Sequence, residues 1–159
     1  LNNEGSEGSD EILRLSFLRA KFAEELIQNT GMKFITPSEA YMMGMFSTLE
    51  YMVDASMEEI IGEIPIDTVI KNALIRREGD AGKLLDLVIC YEKADWKQCQ
   101  NLAKELDVPT SLLSQIYINC VEEVSSIWDS LTGEYTRPGE DSMFKPRETS
   151  GEKIEDVLQ

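Results

Sequence analysis

The sequence predicts an all-α fold, and three observations carry it. Apolar residues recur three and four apart along most of the chain. Residues that start helices stand just ahead of those runs. No stretch alternates apolar and polar residues long enough to read as a strand.

Taken in order, residues 1–9 are rich in Asn, Gly, Ser and Glu and read as a flexible lead-in. Ser9 is placed to cap a first helix, with Asp10 and Glu11 at its positive end. Ile12, Leu15, Leu18 or Arg19, Phe22 and Leu26 form its apolar stripe, and Gly31 is expected to stop it. Thr36-Pro37-Ser38-Glu39 is a strong start signal: a capping Thr, a Pro at the first helical position and a Glu at the third. The run from Ala40 to Val53 is apolar on nearly all sides, which predicts a buried central helix.

Ser56-Met57-Glu58-Glu59 is a second capping box, opening a short helix that ends before Pro65. Asp67 to Arg77 predicts another, with Val69, Ile70, Ala73 and Leu74 inward and Gly79 ending it. Ala81, Leu84, Leu85, Val88 and Tyr91 or Glu92 mark the next. Asp95 with Gln98 resembles a third capping box, ahead of Trp96, Cys99, Leu102, Ala103 and Leu106. Pro109 breaks the chain again. Thr110 begins what reads as the longest helix, with Leu113, Ile116, Tyr117, Cys120, Val121, Val124, Trp128 and Leu131 in register. The count is about seven helices with short connections, hence a compact bundle over residues 10–131. Residues 132–159 are polar and punctuated by Gly and Pro, and read as a disordered tail, with a docking peptide as the alternative.

Composition excludes several functions. The 159 residues hold fifteen bases against thirty acids, a formal charge of −15, which repels phosphate backbones and anionic membrane surfaces. No nucleic-acid or membrane partner is expected. No apolar run reaches the roughly 20 residues of a membrane helix. The sequence has no histidine, so imidazole catalysis and His-ligated zinc are excluded. Three cysteines without a C-x-x-C motif read as buried thiols of a reducing cytoplasm. No metal site or cofactor is expected.

Six short stretches, in this order and spacing, resemble a known family: Leu18 to Leu26, Ala40 to Leu49, Met57 to Ile61, Glu63 to Ile66, Ile75 to Gly79 and Val88 to Trp96. From Leu13 to about Leu131 the chain resembles the C-terminal part of the HDOD domain, a modified HD-GYP domain, of bacterial EAL–HDOD signal transduction proteins. The resemblance implies an HD-domain-like helical bundle related to metal-dependent phosphohydrolases. At the places of their His-Asp pair stand Ser47 and Thr48, so nothing catalytic carries over and the chain is expected not to be an enzyme. What it implies instead is a regulatory or protein-interaction domain linked to cyclic di-GMP signalling. The family's N-terminal segment and any EAL motif are absent, so a longer parent chain is expected.

The candidate sites are few. Ser47 and Thr48 line a vestigial pocket for a small ligand, such as a nucleotide, or are packed polar residues bonding back within their helix. Glu50 and Asp54, one turn apart if that helix continues, give the least favoured alternative, a carboxylate-metal phosphohydrolase. Arg76 and Arg77, adjacent in an acidic chain, are the expected contact to a partner's carboxylate or phosphate, or simply complement a helix end. Met42, Met43, Met45, Met52 and Met57 read as core, though exposure there would favour a homodimer. The partner is expected to be another protein or an upstream domain of the same chain.

Overall fold

The computed structural model describes residues 2–133. Among them it is all-helical: α1 (Asn2–Asn29), α2 (Pro37–Phe46), α3 (Met57–Ile61), α4 (Thr68–Arg76), α5 (Gly79–Glu92), α6 (Trp96–Glu105) and α7 (Thr110–Thr132), with a single 3-10 turn at Leu49–Tyr51. No described helix is long and apolar enough to cross a membrane. The chain divides into units 1–124 and 125–159. The tail from residue 134 onward lies outside the described residues. Of the second unit, Ile127 and Leu131 are exposed, against the expectation that Leu131 packs inward.

From Thr36 onward the capping signals are where the sequence puts them, whereas Ser9, expected to cap the first helix, lies inside α1. Thr36 Oγ1 accepts from the Glu39 amide and Glu39 returns the bond to the Thr36 amide. Ser56 and Glu59 repeat this reciprocal arrangement. Asp67 and Asp95 accept from the amides of Val69 and Gln98. Each satisfies donors that the first helical turn leaves unpaired.

Four readings are corrected. The lead-in is helical: α1 starts at Asn2 and runs 28 residues, so it, not the 23-residue α7, is the longest helix. Propagating a formed helix needs no new nucleus, which offsets the poor propensity of Gly5 and Gly8. The helix expected to be central, α2, stops at Phe46, not Val53. Ser47 Oγ donates to the Gly44 carbonyl and Thr48 Oγ1 to that of Met45, and side chains bonded this way compete with the helical ladder. Glu50 and Asp54 therefore share no helix face. Gly79 does not end α4 but opens α5, because Arg77 takes the left-handed position that closes α4, at φ 56° and ψ 37°.

One apolar core fills the first unit. Phe22, Ala23 and Leu26 of α1 join Leu84, Leu85 and Val88 of α5, Leu102 and Ala103 of α6 and Leu113 and Ile116 of α7. Each of the Phe, Leu, Val and Ile side chains among them contributes about 1.5–3 kcal/mol by leaving water. The helix at the centre is α5, which packs on α1, α2, α4 and α6. Against α1, α2 comes so close that a Cβ on Gly44 would sit 2.5 Å from the Arg19 carbonyl oxygen. Only glycine permits that backbone contact.

Candidate functional site

The crossing of α1 and α2 positions a buried polar cluster. Arg19 is 1% exposed, because its α1 position faces the start of the 3-10 turn and the end of α5. Its Nε and Nη2 donate to the two carboxylate oxygens of Glu92 at 2.7 and 3.0 Å, a fork-on-fork pair. Its Nη1 donates to Ser47 Oγ at 3.0 Å, and Nη2 also reaches Tyr51 Oη at 3.4 Å. The guanidinium lies 5.4 Å from the Tyr51 ring centre, within cation–π range. Burial alone would lower the Arg19 guanidinium, but the hydrogen bonds to Glu92 and Tyr51 outweigh it and raise it above its ordinary value.

Ser47 and Thr48 belong to this cluster. Both are buried, and Thr48 Oγ1 shares a short hydrogen bond with Ser16 Oγ. Ser16 Oγ also bonds the Ile12 carbonyl. The hydroxyls of Ser47 and Thr48 are thus engaged by Arg19, Ser16 and their own helix.

Reading the sequence missed the Arg19–Glu92 pair, yet a signal was present. On α1 the stripe reads Leu18 or Arg19, and on α5 it reads Tyr91 or Glu92. Two helices therefore each offer a charge at a core-facing position, and the charges are opposite. Beside the pair, Tyr91, Tyr117 and Phe22 form an aromatic nest with ring centres 4.7–5.5 Å apart. Trp96 adds an edge contact to Tyr91 at 5.1 Å while staying 54% exposed, so it covers the nest from the surface.

The arginine pair is divided. Arg77 is turned inward on its own corner: Nε bonds Asp86 at 3.1 Å and Nη1 the Leu74 carbonyl at 2.9 Å. Gly82 must be glycine, since a Cβ there would collide with the Arg77 carbonyl. Arg76 is exposed, with Nη1 on Asn72 Oδ1 at 3.0 Å. Both line a cleft of about 490 Å³ with Glu50, Met57, Glu58 and Ile75. Of the methionines, Met43 and Met57 are buried, while Met52 is 41% exposed between Tyr51 and Val53.

All three thiols are free. Burial raises Cys99 to about 11 and Cys120 to about 12. Among the described residues no group of three or more Cys, Asp and Glu side chains is placed to hold a metal ion.

Compared with known proteins, the chain matches no family model and no solved structure. It is 38% identical over 101 residues to a Vibrio cholerae protein named cyclic di-GMP phosphodiesterase CdgJ, which takes in 64% of this chain and 23% of that protein. It is 28% identical over 130 residues to the uncharacterized protein YuxH of Bacillus subtilis, which takes in 82% of this chain and 31% of that protein. The chain therefore spans less than a third of either relative. The expectation that the chain is not an enzyme is corrected by the first of them, since its name is that of an enzyme.

Proposed function

We propose that this chain is an HDOD-like regulatory part of a cyclic di-GMP phosphodiesterase, acting in the cytoplasm through contact with a protein partner or an upstream domain of its own chain. The observation that carries the reading is the 38% identity over 101 residues with CdgJ. The six stretches that resemble the HDOD domain add to it. Of the two arginines, Arg76 is the one in position to grip a partner's carboxylate, since Arg77 closes its own helix corner.

Affinity capture from a bacterial lysate tests this, with cyclic di-GMP hydrolysis measured in the captured fraction. Hydrolysis above that of bare resin is expected, falling about tenfold or more with Arg76→Glu, because one charge-assisted contact contributes about 1.5–3 kcal/mol. Captured fractions that hydrolyse no more than bare resin would overturn it.

A further inference from the structure

Three consecutive large apolar residues, Tyr51, Met52 and Val53, are 47%, 41% and 50% exposed. Isolated exposed apolar residues are ordinary, but an unbroken run of three is out of place on a surface unless something uses it. This run is not loose. The amides of Tyr51 and Met52 bond the carbonyls of Thr48 and Leu49 at 3.0 and 2.9 Å. From below, Arg19 holds the Tyr51 hydroxyl and lies against its ring. The ledge is therefore preformed, and binding to it spends little on ordering.

Its electrical setting selects the occupant. Glu50 and Asp54 flank the run in sequence, and Glu58 shares the adjoining cleft with Glu50. From residue 34 to residue 70 the chain carries seven acids, Glu39, Glu50, Asp54, Glu58, Glu59, Glu63 and Asp67, and no Lys or Arg. The one cation beneath the ledge, Arg19, is matched by Glu92. Arg76 and Arg77 stand on the α4 wall of the cleft. A second copy of so acidic a chain would bring like charges together here, which is costly. A chain segment with apolar side chains for the ledge and Lys or Arg for its rim gains on both counts.

We propose that the Tyr51–Met52–Val53 ledge, rimmed by Glu50, Asp54 and Glu58, is a docking site for a cationic amphipathic segment of a partner protein. The inference does not rest on the phosphodiesterase reading, because it follows from exposure and charge alone.

A fluorescein-labelled leucine–lysine peptide, followed by anisotropy at physiological salt, is the probe. It is expected to bind the whole chain, while the leucine–glutamate counterpart does not. Met52→Ser with Val53→Ser is expected to weaken binding roughly tenfold through lost apolar burial. Glu50→Gln with Asp54→Asn weakens it several-fold and flattens its salt dependence. The Glu50 and Asp54 variant keeps the test open should the Met52 and Val53 variant fold poorly. Glu105→Gln with Glu122→Gln makes the same change in net charge elsewhere and is expected to leave binding unchanged. The proposal is overturned if the peptide fails to bind, if this control weakens binding as much as the rim variant, or if a folded ledge variant binds like the parent. It is overturned equally if the parent sediments as a dimer that the ledge variant dissociates, for then a second copy covers the ledge.

Discussion

Two arginine–carboxylate pairs in this protein have nearly the same chemistry and different consequences. Arg19 meets Glu92 at 2.7 Å with the side chains 1% and 18% exposed; Arg77 meets Asp86 at 3.1 Å with the side chains 32% and 38% exposed. Water screens the second pair, so its net worth is at most about 1 kcal/mol. The first pair has lost most of its water, and each charge depends on the other. What separates them is the cost of leaving one partner alone, not the attraction itself.

The sharpest way to break the comparison is Arg19→Ala. It leaves Glu92 without its counter-charge and Ser47 without a donor, and a loss of about 3–5 kcal/mol in denaturant unfolding is expected. Replacing both charges, Arg19→Met with Glu92→Leu, is expected to recover most of that loss, since a well-packed apolar pair needs no solvation. A loss in the double variant equal to that of the single one would contradict this account.

Gly44→Ala probes the same region through its backbone. The new methyl meets the Arg19 carbonyl, so α1 and α2 must part, at about 1–3 kcal/mol in the same unfolding measurement. At the exposed pair, Arg77→Ala is expected to cost only about 1 kcal/mol or less. Arg77→Gly should come out near neutral, because glycine takes the left-handed conformation without strain and so offsets the lost contact.

The last effect is absent at neutral pH and appears only in alkali: it comes from Cys120, a buried thiol. Its thiol rises from an ordinary 9.0 to about 12, so the folded state holds the proton that the unfolded state gives up first. The stability this provides is complete below about pH 9 and disappears between about pH 9 and 12. The melting temperature is therefore expected to fall across that range, and to fall less in Cys120→Ala.

Legibility followed sequence distance. The caps at Thr36, Ser56, Asp67 and Asp95 are complete within three residues, so the sequence displays them directly. Arg19 and Glu92 are 73 residues apart, and nothing local announces that their helices meet. The Arg77 cap was obscured by Gly79, which carries the conventional signal two residues too late. The exposed ledge was hidden because Tyr51, Met52 and Val53 continue an apolar run that reads as buried helix. Only the hydroxyls of Ser47 and Thr48, bonding back, show where the helix yields. The arginines at 76 and 77 were legible as a pair, but not the division of labour between them.

The left-handed corner at Arg77 also governs how the protein meets a protease. Two adjacent arginines are a tryptic target by sequence, but a protease needs several residues laid out in an extended line. Here the Arg77 amide is tied back to the Ala73 carbonyl and the guanidinium to Leu74 and Asp86. Cleavage at this dibasic step must wait until the corner opens, so the rate of nicking there measures how often α4 and α5 come apart.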